Sequence, residues 1–376
     1  MGAGEYDFDS ILSEYDKKDI HIGVLGGHSA LDVCRGAKKL GFKTVAVCKR
    51  GREKTYDTYY KTRKGKGIVD KTIILDEFSH LTKPNIVKKL QDLNTIFIHN
   101  RYFWVYFDFK NIENEFPVPI FGNRNLLRAE ERDQKPNQYD FLKKAGIRMP
   151  KIFDKPEKID RLSLVKVSEA ERKYERAFFL VSSYEDYKKK SEQLVEKLRI
   201  DKEDLEKAVI EEYVIGAPVN FNYFYSIMNG ELELMGTDMR RQTNIDGIMR
   251  LPANEQLELL KHIEPKHIET GHVAVTIKES LVEKAFELGE KFVKSLDKEA
   301  PPGIIGPFAL QGAISADQGK EEFVCFDVSF RIPGSPGTMF TPYSGYLYGD
   351  SISYGERIAM EIKDALKEKR LEDIVT

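Results

Sequence analysis

Cysteine is scarce. The chain of 376 residues has three, Cys34, Cys48 and Cys325, each inside an apolar run and none at metal-ligand spacing from another. This excludes a zinc knuckle or a disulfide framework and predicts buried free thiols in a reducing compartment. Long hydrophobic runs are missing as well: no stretch approaches the roughly 18 apolar residues that cross a membrane. The N-terminal MGAGEYDFDS is acidic and lacks an apolar signal core, so the expected location is cytoplasmic, with no membrane partner. Neither sign of charge is in excess, at 59 Lys and Arg against 61 Asp and Glu, which argues against a general nucleic-acid binder. A dinucleotide fingerprint is absent too. The glycine turn Gly26-Gly27-His28-Ser29 is not GxGxxG, and the strand after it ends in Lys49-Arg50-Gly51-Arg52 where an acid would read a ribose.

What is present is a soluble globular composition, 41% hydrophobic and 32% charged, long enough for two or three subdomains. His21 to Arg50 reads as strand, glycine turn, helix, glycine stop, strand, a βαβ unit that predicts a parallel sheet. His28 sits in the turn at the strand's carboxyl end, where such sheets bind ligands; a turn residue with local hydrogen bonds is the alternative. Ser29 is placed to cap the following helix, and the three cations at 49–52 beside a helix N-terminus suit a phosphate. Further strands are predicted at 67–75, 95–99 and 118–121. The aromatic run after residue 99 reads mostly as core, with Tyr102 at a strand end facing the same crevice.

The second half repeats strand and turn signals. A helix over 136–145 ends at Gly146 and is followed by an extended Ile147–Pro150 segment. The strand at 162–167 carries Lys166 at its centre, and a buried lysine needs a negative partner, either phosphate or a glutamate. AVIEEYVI, 208–215, is a strand bearing Glu211 and Glu212. Asn229-Gly230 closes a hairpin, after which Arg240, Arg241, Gln242, Asn244 and Arg250 read as a polar loop. The stretch from Pro307 to Arg331 is a second hairpin with its turn at 315–320. Gln311 and Asp327 offer oxygen ligands on one side of it, and Ser329 and Arg331 follow Asp327 at spacing two, on the same face. A carboxylate, an amide and a hydroxyl beside an arginine suit Mg²⁺ carrying phosphates; an edge strand with its polar face in water is the alternative.

Assembled, these residues resemble an ATP-grasp enzyme. More narrowly, the chain is similar to the archaeal formate-dependent 5-formaminoimidazole-4-carboxamide ribonucleotide (FAICAR) synthetases of purine biosynthesis. The resemblance runs from about Ile20 onward through VLGGHSAL, FGNRNLLRAEE, GIRMP, IEEYVIG, NFNYFYS, NIDGIMRLPA, ETGH, PPGIIGPFALQ and FDVSFRIPG. It implies an α/β (α+β) ATP-grasp architecture: an N-terminal βαβ domain over 1–125, a lid and hinge subdomain over 126–215, and a C-terminal mixed-sheet catalytic subdomain over 216–376. It implies ATP and Mg²⁺ as cofactors and AICAR and formate as substrates, with formyl phosphate as intermediate, in a homo-oligomer, trimer or hexamer. It also implies roles. Gln311 and Asp327 hold the metal. Lys166, Glu211, Glu212, Tyr213, Val214 and Gln242 bind ATP. His28, Tyr102, Asn244, Arg250 and His272 face the ribonucleotide, and Arg331 stabilises the transferring phosphoryl group.

Four departures from the family pattern stand out. The lid run SEAERKYERAFF, 168–179, has no glycine, leaving Arg172, Lys173 and Arg176 to compensate by charge. Tyr102 replaces a small Ser, His272 follows Thr270-Gly271 where Asn is common, and Gln242 replaces a glutamate. They keep two alternatives open: a ligase on the same fold with another acceptor, or a nucleotide-binding regulatory protein without turnover.

Overall fold

The computed structural model describes residues 6–132, 134–167, 178–196, 201–263, 265–316 and 319–376. The lid run, for its part at 168–177, and the predicted turn residue Asp317 lie outside the described residues.

The apolar runs of the first third form a parallel sheet. Strands β1 (His21–Leu25), β2 (Lys43–Lys49), β3 (Lys71–Leu75), β4 (Thr95–Ile98) and β5 (Ile120–Phe121) lie in the order β3-β2-β1-β4-β5. Helices cover both faces, so successive side chains enter two different cores. Ile22, Val24, Ala46, Cys48, Ile96 and Ile98 face one, and Leu25, Val45, Val47, Ile73 and Phe97 face the other. The three cysteines are buried and free, as their apolar surroundings predict.

A small antiparallel sheet follows, β6 (Ile152–Phe153), β7 (Ser163–Lys166), β8 (Phe178–Val181) and β9 (Val209–Glu212), in the order β6-β9-β7-β8. Phe153, Val165, Val181 and Ile210 form its core. Leu164 pairs with Glu211 and Lys166 with Val209, so Lys166 and Glu211 are diagonal neighbours on the opposite face.

The third sheet contains β10 (Ala217–Ser226), β11 (Glu231–Gln242), β12 (Glu269–Val275), β13 (Gly306–Ser315) and β14 (Glu322–Ser329), in the order β12-β11-β10-β13-β14. Expected as mixed, it is antiparallel at every pairing, because hairpins join β10 to β11 and β13 to β14. Arg240, Arg241 and Gln242, expected in a loop, extend β11, since β12 supplies them with backbone partners. The helix Glu279–Glu299 buries Ala285, Leu288, Phe292 and Leu296 against this sheet, with Phe292 stacked 6.0 Å from Phe308.

Buried polar contacts of His99 and Arg357 help join the parallel sheet to the third one. His99, at the end of β4, reaches the carbonyls of Phe121 at 3.0 Å and Phe330 at 3.2 Å. The helix Tyr354–Glu368 carries Arg357, fully buried, into a carboxylate pair. Glu233 accepts from its Nε and Nη2 at 2.7 Å each, and Glu361 lies 2.9 Å from its Nη1. Arg357→Ala would leave both carboxylates buried without their cation. The expected loss is about 3–5 kcal/mol of stability, read as a lowered urea midpoint; a loss below about 1 kcal/mol would show the cluster is not a structural anchor.

Candidate active site

The site lies at the carboxyl ends of β1 and β4, where the third sheet closes over them. Asn100 organises the entry. Its side chain donates to the carbonyls of Leu25, at 3.0 Å, and His28, at 3.2 Å, and accepts from the Tyr102 N–H at 3.0 Å. One amide thus fixes the turn after β1 and caps the short helix Arg101–Tyr106. Ser29 does not cap its helix. It has a left-handed φ of 68°, and its hydroxyl donates instead to the Pro333 carbonyl at 2.7 Å. That bond ties the turn to the loop after β14. The loop comes so close that a Cβ on Gly334 would lie 2.5 Å from the His28 ring.

Two adjoining cavities result. The outer one, of about 550 Å³, lies between the small sheet and the third sheet. Leu164, Val167, Phe178, Val214, Ile215 and Phe326 line one part of it, and Arg101, Arg132, Lys166, Arg240 and Arg331 the rest, with Glu130, Glu211, Glu212 and Asp327 among them. The inner one, of about 30 Å³, is polar, with His28, Arg101, Asn220, Asn222, Asp238, Glu269, His272 and Ser335 in its wall. Arg101, Arg240, Gln311 and Arg331 border both. A volume of this size, lined by both apolar and charged residues, suits a ligand with a flat apolar part and an anionic tail.

The charges are interlocked. Lys166 Nζ lies 2.5 Å from Glu211, which also accepts from the Tyr139 hydroxyl at 2.7 Å. Burial presses the Lys166 ammonium below its ordinary pKa, against the pull of Glu211. Asp327 lies 3.4 Å from Arg132 and 3.5 Å from Arg240. Burial would raise its carboxyl, but Arg132, Arg240 and Lys166 outweigh that and hold it below the usual carboxylate range. Arg331 pairs with buried Glu130 at 3.2 Å. In the inner cavity His272 bonds Asp238 through Nδ1 and Glu269 through Nε2, the latter at 2.9 Å. Burial opposes its charged form, yet the two carboxylates raise it to about 9. His28 is the reverse case. Burial, reinforced by Arg331 and Arg101, lowers it to about 3, so it is neutral, and its Nδ1 has no hydrogen-bond partner.

Gln311 and Asp327 are register partners across β13 and β14. Both already engage a cation: the Arg240 guanidinium donates to Gln311 Oε1 and approaches Asp327. Hard oxygens facing a cationic group fit Mg²⁺, which draws its other ligands from water and phosphate. Among the described residues no group of three or more His, Cys, Asp or Glu is arranged for a metal, so these two would need phosphate oxygens to complete a shell.

Residues 186–376 match a family model described as Domain of unknown function (DUF1297), and residues 22–153 one described as Protein of unknown function (DUF1246). A 5-formaminoimidazole-4-carboxamide-1-(beta)-D-ribofuranosyl 5'-monophosphate synthetase of Methanopyrus kandleri is 39% identical over 97% of this chain and 98% of its own length. That of Methanocaldococcus jannaschii is also 39% identical, over 97% and 98%. The chain belongs to this synthetase family. The crystal structure of an IMP biosynthesis protein PurP from Thermococcus kodakaraensis superposes with a TM-score of 0.71 at 27% identity, over 94% of this chain and all of that one. An ADP complex of N5-carboxyaminoimidazole ribonucleotide synthetase, 12% identical, matches with a TM-score of 0.54 over 89% of this chain and 78% of that one, a likeness of fold. The α+β architecture is that of ATP-grasp proteins.

For a synthetase of this family the predicted residues divide clearly. Lys166, Glu211, Glu212, Tyr213, Val214, Gln242, Gln311, Asp327 and Arg331 all line the outer cavity, and His28 and His272 the inner one. Other predicted residues stand outside both cavities. Tyr102 lines neither cavity. It packs 5.1 Å from both Phe78 and Tyr106, over Gly27, where a Cβ would lie 2.1 Å from its ring, and Arg101 beside it faces the cavities instead. Asn244 and Arg250 also stand outside both linings; the Asn244 side chain accepts from the Lys266 N–H at 2.6 Å, in the turn next to β12. The cations at 49–52 each have a partner: Lys49 pairs with Glu77 at 2.5 Å, Arg50 with Asp76 at 2.8 Å, and Arg52 donates to Tyr106 at 3.4 Å.

Arg101, Arg132, Asp238 and Glu269 were not anticipated. Arg101 had a signal, directly after the His99-Asn100 strand end, and Glu269 lies three residues before His272 on the same strand, whereas Asp238 meets His272 only through the pairing of β11 with β12. That cluster has a pH consequence. The folded pKa of His272 is above its ordinary 6.5, so its stabilisation is complete below about pH 6.5 and lost as pH rises through about 9. Unfolding free energy should fall by up to about 3 kcal/mol across that window. His272→Gln should flatten the profile in urea titrations; an unchanged slope would place the titration elsewhere.

Proposed function

We propose that the chain is an ATP-dependent synthetase that formylates AICAR with formate. The observation that carries this is the pair of adjoining cavities sharing Arg101, Arg240, Gln311 and Arg331. The outer one suits a nucleotide, the inner one the reacting end of a second, polar substrate, and the shared wall is where a phosphoryl group would pass between them. The naming of the full-length relatives supports the same reading.

Adenine enters against Leu164, Val167 and Phe326, beside the backbone of Tyr213 and Val214. Lys166, Arg132 and Arg240 receive the phosphates. Gln311 and Asp327 would hold Mg²⁺, which when bound offsets phosphate charge. A formate oxygen attacks the γ-phosphorus, the bond to the β-phosphate oxygen breaks, and ADP and formyl phosphate form. Arg331 lies where the charge of the moving phosphoryl group is spread. The amine nitrogen of AICAR then attacks the formyl carbon; the carbon–oxygen bond breaks, phosphate leaves, and the nitrogen gives up a proton. His28, neutral with a ring nitrogen unengaged, and the charged His272 face the ribonucleotide. Holding all three reactants in one enclosed space is the main source of rate, because free formyl phosphate would meet water first.

ADP release is measured with Mg-ATP, formate and AICAR, omitting each in turn. Release that requires all three, with the formylated ribonucleotide formed in step, is the expected result. Release with formate and another amine but not AICAR redirects the acceptor assignment, and binding of ATP without release overturns the enzyme reading. In the same assay Asp327→Asn should keep the fold and lower turnover by roughly 10²–10³-fold, the usual effect of losing one preorganised electrostatic group; a wild-type rate at low Mg²⁺ would move the metal site elsewhere.

A further inference from the structure

Arg240 belongs to both cavities and touches the key group of each. From β11 its Nη2 donates to Gln311 Oε1 and lies 3.5 Å from Asp327, while its Nε lies 3.4 Å from Glu269, itself bonded to His272. We propose that Arg240 is a latch: it occupies the cation position between Gln311 and Asp327, keeps free divalent metal out, and yields that position only to a metal–nucleotide complex. This rests on Gln311 and Asp327 being the metal ligands.

The argument is electrostatic and geometric. Asp327 has two guanidiniums within 3.5 Å, those of Arg132 and Arg240. A bare dication approaching it meets like charge on two sides and must displace a donor from Gln311 as well. A triphosphate changes the balance, since its oxygens offer Arg240 a stronger acceptor than a neutral amide. Arg240 can turn toward phosphate without leaving the wall, because Glu269 holds it by Nε. Its release from Asp327 then exposes both oxygens to the metal at the moment the phosphate arrives. Metal and nucleotide are thereby coupled, and each raises the affinity for the other by the same factor. Through Glu269 the same side chain reaches His272, so loading of the outer cavity is felt by the inner one.

The test is a titration of free Mn²⁺, followed by its paramagnetic resonance signal, without nucleotide. Wild type should bind weakly. Arg240→Gln should bind at least about tenfold tighter, within the usual range of coupling between sites. Arg240→Lys keeps the charge but cannot span Gln311 and Asp327 together, so it should show a smaller gain in the same direction. If neither variant gains affinity, the latch is wrong. Asp327→Asn separates this from the underlying reading. Loss of the gain in the double variant Arg240→Gln, Asp327→Asn supports both. A gain that survives Asp327→Asn places the metal elsewhere and overturns the ligand assignment. Weaker Mn-ATP binding by Asp327→Asn alone, with no gain in Arg240→Gln, keeps the ligand assignment and overturns only the latch.

Discussion

The register of β13 against β14 is the constraint on which the site depends. Gln311 opposes Asp327, and the next pair is Gly312 with Cys325, so Phe326 is an extra residue in a bulge. The bulge turns two successive side chains, Phe326 and Asp327, toward one cavity, which a regular strand cannot do. Gly312 allows it, since a Cβ there would lie 2.3 Å from the Val324 carbonyl oxygen. A slip of one residue would send every side chain of β14 to the opposite face. The register is pinned from outside the sheet as well: Gln138 accepts from the Val328 N–H at 2.7 Å and Glu130 from that of Phe330 at 2.8 Å. Helix and loop residues far from the hairpin therefore fix where its oxygens stand.

Around that hairpin the protein has gathered opposite charges in pairs. Isolated, each would be very costly to bury; pairing offsets part of that desolvation cost. Lys166 with Glu211, Asp327 with Arg132 and Arg240, and Arg331 with Glu130 make a wall in which each cation is held by a carboxylate. An anionic ligand entering such a wall competes for donors that are already oriented, so little reorganisation is needed when charge moves during reaction.

Much of this was legible beforehand, and what was not has a common cause. The parallel sheet follows from apolar runs separated by a glycine turn and a helix, a local signal. Gln311 and Asp327 were legible because a hairpin brings its own strands together. Ser29 failed as a cap because Pro333, some three hundred residues later, takes its hydroxyl. The partners of the cations at 49–52, Asp76, Glu77 and Tyr106, come from other elements. Tyr102 and Arg101 are adjacent, and Tyr102 faces the aromatic core because Phe78, Tyr106 and the close approach of Gly27 receive it. Gln242 and its neighbours resembled a loop because β12, which pairs with them, begins 27 residues further on. Local pattern locates elements, and long-range pairing decides what their side chains meet.

The helix Tyr354–Glu368 crosses the helix Ala30–Lys39 at two glycines, Gly36 and Gly355, so closely that a Cβ on either would sit 2.0 Å from the other backbone. Its Ile358, Ile362 and Ala365 complete the core on one face of the parallel sheet. That sheet is finished by residue 121, whereas its cover lies more than two hundred residues later. During synthesis, which proceeds from the N-terminus, the five strands leave the ribosome with that face covered by Ala30–Lys39 but not yet by Tyr354–Glu368, while both antiparallel sheets are still to be made. A chain built this way completes the core of its first-made sheet only with its last long helix.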